Sequence, residues 1–400
     1  MDLPERGQPL VSVVVPAFNA EKHISTCLES LRRQTLAGFE IVVIDDGSID
    51  ETAVVADNIL SRSSLPYQVL SQPNQGVSAA RNHGLDVARG KYVMFLDSDD
   101  YIGPDCLSKL ALSAESTGSD IVFCGCDFVS ENGEVLRAYS SRHTYLEQTV
   151  AGPEALCRVF IEKLGVWPGS MIFNKDFLET HGLSFKEGRV IAEDLEFEFK
   201  ALFHARRVSS VNESLFFYVQ RAGSVTGTVD MLKRFQGMDV LFSLKDYFTD
   251  CISKHSPCTV CAGRPRCCPG LPHDRILGDT SRAVRADSLC KGDKPRGGLR
   301  SEDSVGSPAM LERKAVYYLK TYMIPVSLAG VFGALAAAGY PRVRLKEILK
   351  TRPDFRQALS EFSPAEEANL ASRRRFQVQL LRYFPSAYFM VSRIFGGLRT

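Results

Sequence analysis

The chain has 400 residues, of which 44% are apolar and 24% charged, and its formal net charge is +1. This composition excludes a chain that is disordered throughout. The near-neutral charge excludes nucleic-acid binding that depends on an overall positive charge. The first ten residues are polar, and the apolar run that follows them stops at Pro16, too early for the core of a secretory signal. We therefore expect a cytoplasmic protein whose cysteines are mostly free thiols.

Apolar strands alternate with helices over the first hundred residues. Four β-branched, apolar runs predict buried strands: 11–15, 40–44, 67–70 and 92–96. Segments with helical patterning or helix-capping residues lie between them: 21–36, 50–60 and 77–88. This alternation predicts an α/β fold, with a Rossmann-like, mostly parallel sheet that carries helices on both faces. Ligands of such sheets bind at the carboxyl ends of the strands.

The alternation loosens after residue 100. The patterning predicts the following elements there: helices at 104–116, 154–163 and 193–203, and strands at 121–124, 167–174 and 208–219. From residue 311 helical patterning returns, interrupted by prolines.

Three of the predicted strands end in polar sequences that would share one edge of the sheet. The first runs into Pro16-Ala17-Phe18-Asn19, the second into Asp45-Asp46, and the fourth into Asp97-Ser98-Asp99-Asp100. Clustered carboxylates raise one another's pKa, and a hard divalent cation neutralises them. Asp97 and Asp99 would point to the same side of an extended turn, where both can face a metal-bound diphosphate. The alternative is that these aspartates are turn and capping residues, which is an equally good reading for Asp50 and Asp100.

The runs VSVVVPAFNAEKHISTCLESL, FEIVVIDDGSIDET and QPNQGVSAARNHGLDVARGKYVMFLDSDD closely resemble the family 2 glycosyltransferases of the GT-A fold. These bacterial enzymes build exopolysaccharide, capsule or lipopolysaccharide. The resemblance spans residues 10–228 and includes several ordered motifs. It implies a GT-A catalytic domain at 1–228, with a nucleotide-binding half at about 10–100 and an acceptor half at 101–228.

The resemblance also implies a donor site. Asp97-Ser98-Asp99 would be the DxD element that holds Mn²⁺ or Mg²⁺ against a sugar-nucleotide diphosphate, with Asp99 as the direct ligand and Asp97 as a ligand or ribose partner. The remaining nucleotide-sugar residues that it implies are Pro16, Ala17, Phe18, Asn19, Asp45, Asp46, Gly76, Arg81, Ser98 and Arg221. For Arg81 the alternative is an ordinary ion pair with a carboxylate.

Ala192-Glu193-Asp194-Leu195-Glu196-Phe197 resembles the family's E-D motif at a helix start. The resemblance implies that Asp194 is the catalytic base for the acceptor hydroxyl, and that Glu193 raises its pKa and binds acceptor hydroxyls. A single base opposite a metal-held leaving group implies inversion at the anomeric carbon. The alternative is that Asp194 is a capping acid of the helix. Trp167 would stack on an acceptor sugar, or belong to the core as single tryptophans often do.

The implied function is an inverting, metal-dependent glycosyltransferase. It would move a sugar from a nucleotide sugar, with UDP favoured, to a glycan or lipid-linked acceptor in cell-surface polysaccharide synthesis. One alternative is a relic protein that only binds nucleotide sugars, but Asp97, Asp99 and Asp194 are all present. The other is a sugar nucleotidyltransferase, which would need a basic, glycine-rich loop where Pro16-Ala17-Phe18-Asn19 stands.

Beyond the implied domain we expect a connecting helix at 229–250, an irregular segment at 251–310 and a helical C-terminal region at 311–400. The irregular segment is rich in Cys, Arg, Gly and Pro, and we expect it to be disordered. Five of the eleven cysteines crowd into its stretch 258–290: Cys258, Cys261, Cys267, Cys268 and Cys290. Three readings stay open, namely a low-complexity insertion, a zinc element and an out-of-frame stretch.

The C-terminal region contains two features that suggest membrane contact. Residues 321–341 carry no charge and are long enough to span a bilayer, although a buried or interfacial helix fits their modest hydropathy better. Residues 372–400 contain six arginines, no acidic residue and many aromatic ones, which suits an anionic membrane surface at the inner face of the cytoplasmic membrane. The alternative is a helical appendage packed on the catalytic domain.

Overall fold

The computed structural model describes residues 8–189, 191–221, 234–255, 308–337, 341–361, 378 and 381–382. Nine strands of these residues form one sheet. They are β1 (Val11–Ala17), β2 (Phe39–Asp45), β3 (Tyr67–Ser71), β4 (Tyr92–Phe95), β5 (Tyr101–Ile102), β6 (Ile121–Ser130), β7 (Val135–Arg137), β8 (Met171–Asn174) and β9 (Val208–Gln220).

The strand order is β3-β2-β1-β4-β8-β6-β9-β5, with β7 paired to β6. Pairs β1–β2, β1–β4, β2–β3 and β6–β9 are parallel, whereas β8 runs antiparallel to both β4 and β6. Two antiparallel steps restore the direction, so β6 and β9 run the same way as β1 to β4. The carboxyl ends of six strands therefore share one edge, and the start of the reversed strand β8 lies at that same edge. The prediction of an α/β fold is confirmed, and the sheet is mixed, because four of its eight strand pairs are antiparallel.

Helices flank the sheet and continue beyond it. They are α1 (Ile24–Arg32), α2 (Thr52–Leu60), α3 (Val77–Val87), α4 (Cys106–Thr117), α5 (Gly152–Phe160), α6 (Lys175–Thr180), α7 (Glu193–His204), α8 (Arg234–His255), α9 (Pro308–Tyr318), α10 (Ile324–Ala337), α11 (Arg342–Thr351) and α12 (Pro353–Glu361). Tyr139–Ser141 and Pro168–Ser170 form 3₁₀ turns, and Leu319–Met323 form a π turn between α9 and α10.

Alternate residues of the central strands face two hydrophobic cores, as burial on both faces of a sheet requires. Val13 and Val15 face one core together with α1 and α4, while Val14 faces the other together with α7. Helix α3 approaches β1 so closely that a β-carbon on Gly84 would overlap the Val14 side chain. This close packing fixes the position of α3 against the sheet, and α3 carries two residues of the candidate site.

The C-terminal helices pack into the same hydrophobic core that Val14 and α7 face. Phe203 of α7 stacks on Phe248 of α8 at a centroid distance of 4.3 Å, and Phe332 of α10 and Phe355 of α12 are fully buried. Most of the uncharged 321–341 stretch belongs to the π turn and α10. Of the described helices, none combines the length and apolarity that a bilayer span needs.

Several predicted boundaries differ from the observed ones. Helix α1 begins at Ile24, and β6 continues to Ser130 because its pairing with β9 extends beyond the apolar run. The predicted strand at 167–174 begins only at Met171, since Trp167 enters a 3₁₀ turn in which its N–H donates to Ser170 Oγ at 3.2 Å. The short elements β5, β7 and α6 carry no periodic signal and were not predicted.

Two sets of predictions fall on residues outside the description. The first is the cluster Cys258, Cys261, Cys267, Cys268 and Cys290, with its three readings, and the second is nearly all of 372–400. The division of the chain at 228, 250 and 310 stays a prediction.

Candidate active site

The loops that follow β1 and β2 are joined by hydrogen bonds. The Asn19 N–H donates to Ser48 Oγ at 2.9 Å, and the Ile49 N–H donates to Asn19 Oδ1 at 3.0 Å. Asn19 adopts a left-handed backbone conformation, with φ of 49°, which asparagine tolerates better than most residues. Pro16 and Ala17 are buried within β1, whereas Phe18 is 50% exposed. Phe18 and Asn19, which is also exposed, are thus the parts of this segment that a ligand can reach.

The two acidic residues at the end of β2 are buried and hydrogen-bonded. Asp46 accepts three hydrogen bonds: from the Gly76 N–H at 2.8 Å, the Gln75 N–H at 3.0 Å and Gln72 Nε2 at 2.8 Å. Asp45 accepts from the Ser48 N–H and from Ser71 Oγ, both at 3.2 Å. Gly76 has φ of 91°, a conformation that favours glycine, and it is the cap of α3. Asp46 therefore holds the loop that leads into α3.

The turn after β4 presents Asp97 and Asp99 at the same edge. Their side chains are 38% and 46% exposed, and Asp99 Oδ2 lies 3.1 Å from Arg221 Nη1. Burial and the neighbouring Asp97 carboxylate raise the pKa of Asp99, and Arg221 opposes that rise. Asp100 is buried and accepts a hydrogen bond from the Val219 N–H at 2.9 Å. This contact joins the turn to β9, 119 residues further along the chain, so it is neither the helix cap nor the turn contact that the sequence left open for Asp100. Ser98 lies between the two acids, half-buried.

Arg81 of α3 joins this turn to the E-D segment. Its side chain is 3% exposed, with Nη2 at 2.7 Å from Asp97 Oδ1 and Nη1 at 3.2 Å from Glu193 Oε1. Its guanidinium also lies 5.1 Å from the centre of the Phe185 ring. Burial alone would lower the pKa of Arg81, but Asp97, Glu193 and Asp194 raise it overall. The alternative of an ion-pair partner therefore describes the contacts of Arg81 in this structure, while donor binding by it stays a prediction.

The next residue, Asn82, holds the loop that contains Phe185. Its Oδ1 accepts from the Phe185 N–H at 2.8 Å, and its Nδ2 donates to the Phe185 carbonyl at 2.9 Å. Arg81 and Asn82 thus attach α7 and the loop before it to α3.

Helix α7 begins at Glu193, after Ala192 in a left-handed conformation with φ of 60°. Asp194 lies in the first turn, where its Oδ1 accepts from the Leu195 N–H at 2.7 Å. This contact agrees with the alternative that Asp194 serves a free N–H at the start of the helix. The second carboxylate oxygen of Asp194 can still accept a hydrogen bond from another group. Burial and the Asp194 charge raise the pKa of Glu193, and Arg81 opposes that rise.

Sequence reasoning missed Glu198, which lies on α7 one turn beyond Asp194. Glu198 is 4% exposed, and its Oε1 has no hydrogen-bond partner among the described residues. Burial and the Asp194 charge raise its pKa well above the ordinary range, although Arg81 opposes them. The spacing of four residues from Asp194, which places both acids on one helix face, is the signal that could have found it.

Trp167 lies at the same edge of the sheet, just before β8, among other rings. Its ring is 5.7 Å from Phe128, 6.2 Å from Tyr139 and 5.9 Å from His143, all in edge-to-face geometry. The side chain is half-buried. Both readings of Trp167 thus stay open, because part of the ring is packed and part is accessible.

The residues of the DxD turn fit a divalent cation that is shared with a ligand. Asp97 and Asp99 supply hard oxygen donors, and each places one oxygen against an arginine. In the described ranges, no group of three or more His, Cys, Asp or Glu side chains could hold a metal ion. Mg²⁺ and Mn²⁺ commonly take one or two protein carboxylates and complete their shell with water and phosphate oxygens, which this turn can accommodate.

Comparisons with known proteins agree on the family. The sequence model of glycosyl transferase family 2 matches residues 12–182. The chain is 33% identical over 229 residues to the uncharacterized glycosyltransferase EpsJ of Bacillus subtilis, covering 54% of this chain and 63% of EpsJ. It is also 33% identical over 226 residues to the succinoglycan biosynthesis protein ExoO of Rhizobium meliloti, with the same shares of 54% and 63%. The chain therefore spans under two thirds of the length of these curated relatives.

A solved structure gives the same result for the fold. TarS from Staphylococcus aureus, a poly(ribitol-phosphate) β-N-acetylglucosaminyltransferase, has a crystal structure in complex with UDP-GlcNAc. It superposes with a TM-score of 0.50 and 27% identity, covering 60% of this chain and 66% of that one. The GT-A prediction is confirmed. Residues 12–182 thus match the family 2 glycosyltransferase model, the same family that the sequence motifs resemble.

Proposed function

We propose that the protein is an inverting, divalent-metal-dependent glycosyltransferase. It moves a sugar from a UDP-sugar to a glycan or lipid-linked acceptor in cell-surface polysaccharide synthesis. The observation that carries this proposal is the Arg81 bridge, with 2.7 Å to Asp97 and 3.2 Å to Glu193. Through it the predicted metal-binding turn and the predicted base, about a hundred residues apart in sequence, belong to one cluster of charges.

The donor assignment rests on the relatives. TarS binds UDP-GlcNAc in its crystal structure, and ExoO is named for succinoglycan biosynthesis. A UDP-hexose or UDP-N-acetylhexosamine is therefore the first donor class to test. Within this chain, the Asp46-held loop and the exposed Phe18 ring would bind the nucleotide, and Asp45, Asn19 and Gly76 would shape its pocket.

Asp99, with Asp97 beside it, would hold Mn²⁺ or Mg²⁺, and a bound ion would supply positive charge for the departing nucleoside diphosphate. Arg221 supplies a second positive charge at Asp99. Asp194 takes the proton of the acceptor hydroxyl as its oxygen attacks the anomeric carbon. Arg81 fixes the distance between the two ends of this displacement, so that the nucleophile and the leaving group act in line.

Membrane contact is part of the proposal because the acceptor class includes lipid-linked glycans. We place the enzyme at the inner face of the cytoplasmic membrane, held peripherally by the arginine- and aromatic-rich sequence at 372–400.

The test is UDP release by the purified full chain from UDP-GlcNAc and related UDP-sugars, with Mn²⁺, Mg²⁺ or a chelator. We expect a metal-dependent rate that falls at least about a hundredfold in Asp99→Asn, since the metal and its charge stabilisation are lost. Asp57→Asn, which makes the same substitution at an exposed carboxylate of α2, is the matched control and should retain most of the rate. An Asp99→Asn variant with the wild-type rate would contradict the site.

The same assay separates the alternatives. A relic protein would be stabilised thermally by UDP and metal but would release no UDP in any acceptor mixture. A sugar nucleotidyltransferase would release pyrophosphate from UTP and a sugar 1-phosphate.

A further inference from the structure

A ring-lined surface borders the candidate active site on the acceptor side. Phe128 of β6 pairs with Tyr218 of β9 in the parallel register and with Arg137 of β7 in the antiparallel one. The Phe128 ring lies 5.0 Å from Tyr218 and 5.7 Å from Trp167. Arg221, the partner of Asp99, follows Tyr218 by three residues. We call Phe128, Arg137, Trp167 and Tyr218 the ring platform.

Positive charge is concentrated at the ring platform. The Arg137 guanidinium lies 3.7 Å from the centre of the Phe128 ring. Burial and the charge of nearby Arg142 lower the pKa of Arg137. Burial, Arg137 and Arg142 together lower the pKa of His143 to about 4, so the imidazole beside Trp167 is neutral at physiological pH.

No acid compensates this charge within the described part of the chain, where neither Arg137 nor Arg142 takes part in an ion pair. Elsewhere at this edge the arginines are paired, Arg81 with Asp97 and Glu193, and Arg221 with Asp99. Two arginines that repel each other beside accessible rings form a surface that an anion would stabilise.

We propose that the ring platform, with Arg142 at its margin, binds an acceptor sugar that carries an anionic group, a phosphate or a carboxylate. This inference rests on the proposed glycosyltransferase function and names its acceptor class. The guanidinium forks of Arg137 and Arg142 bind the anion, since they match both oxyanions in geometry. The Trp167 and Tyr218 rings contact the apolar face of the sugar. A neutral glycan would leave the two arginines uncompensated.

The chain contains a single tryptophan, so intrinsic fluorescence reports on the ring platform without a label. The full chain is titrated with glucose 1-phosphate, glucuronic acid and glucose, and the Trp167 emission is recorded. We expect at least one anionic sugar to change the emission saturably, with a Kd at least about tenfold below that of glucose, as charge-assisted hydrogen bonds provide. The anion that binds more tightly identifies phosphate or carboxylate as the recognised group.

Three variants test the arginines. Arg137→Gln and Arg142→Gln should bring the affinity for the anionic sugar to that of glucose. Arg137→Lys should give an intermediate value, because it keeps the charge and loses the planar fork. Arg62→Gln, an exposed arginine in the turn after α2, is the matched control and should bind as the wild type does.

Equal responses to glucose and to both anionic sugars would overturn the inference, and so would wild-type affinity in Arg137→Gln. Thermal stabilisation by UDP and Mn²⁺, measured on the same proteins, shows that each variant is folded and reports separately on the donor site. If the wild type gains no stability from UDP and metal, the proposed function fails. If it does gain stability but the emission does not distinguish the sugars, only the acceptor inference fails.

Discussion

The predicted donor half, residues 10–100, and the predicted acceptor half, residues 101–228, build their shared edge of the sheet with different chemistry. On the donor side, the loops after β1 and β2 and before α3 are held by hydrogen bonds to buried carboxylates, with three on Asp46 alone. On the acceptor side, the edge consists of aromatic rings and arginines, such as Arg137 over Phe128. A hydrogen-bonded frame suits a ligand part that never varies, such as a nucleotide. Rings tolerate variation in the sugar that they contact.

Arg81 and Asn82 lie between these halves and contact both. Arg81 pairs with Asp97 on the donor side and with Glu193 on the acceptor side, and Asn82 holds Phe185 by two hydrogen bonds. The comparison thus predicts that variants on the donor side change nucleotide binding, that variants on the acceptor side change transfer alone, and that α3 variants change both.

The largest effect is expected for Asp194→Asn, on the acceptor side. The amide can still accept the Leu195 N–H but cannot take a proton, so kcat should fall by about 10² to 10⁴. UDP binding should stay unchanged, as measured by calorimetry. Asp176→Asn replaces the matching acid in the first turn of α6 and should leave kcat alone. Full activity in Asp194→Asn would show that Asp194 is not the catalytic base and serves only the start of the helix.

Arg81→Gln should have the next largest effect, because it leaves Asp97 and Glu193 unpaired beside buried groups. We expect a loss of about 3 kcal/mol in the free energy of unfolding, measured with denaturant. Arg32→Gln, which breaks the partly exposed pair with Glu29 on α1, should cost less than about 1 kcal/mol. Equal losses in the two variants would mean that the Arg81 bridge does not stabilise the junction of the halves.

Asp46→Asn tests the donor frame. The amide nitrogen would face a backbone N–H or the Gln72 amide, so we expect a loss of about 1–3 kcal/mol in stability together with weaker UDP binding. Asp57→Asn, at the exposed Tyr67 contact, is the control and should change neither quantity. Weaker UDP binding without any loss of stability would point to direct nucleotide contact by Asp46.

Glu198→Gln should have its smallest effect on the free energy of unfolding near pH 4, and the effect should grow as pH rises. Since the folded pKa of Glu198 is raised, its contribution is fully present below the unfolded pKa of about 4.3 and is lost as pH rises. Stability profiles should therefore show the Gln variant gaining on the wild type from pH 4 to pH 8, by about 1.4 kcal/mol for each unit of pKa difference. The exposed Glu213→Gln variant should run parallel to the wild type.

The sequence predicted the donor half better than the acceptor half. Strands β1, β2 and β4 are continuous apolar runs with acids at their ends, so strand and site follow from the same pattern. The ion pairs of Arg81 were one of two alternatives that the sequence left open. Its partner Glu193 lies 112 residues away, and no local sequence pattern links the two residues. The ring platform forms because β6 pairs with β7 and β9. Hydrophobic periodicity does not show which residues of two strands lie opposite each other, so the sequence could not predict this platform. Glu198 lies in an ordinary helical pattern, where its spacing of four residues from Asp194 is a weak signal and its burial is visible only in the structure.

The two hydrogen bonds between Asn82 and Phe185 have a consequence for protein engineering. The Asn82 side-chain amide bonds to both backbone groups of a residue 103 positions away, as a neighbouring strand would in a sheet. A chimera that joins the acceptor half of one relative to the donor half of another would therefore lose these two hydrogen bonds, unless the last turns of α3 are transferred with the acceptor half. The natural crossover point for such chimeras lies before α3, near Gly76, and not at the midpoint of the sheet.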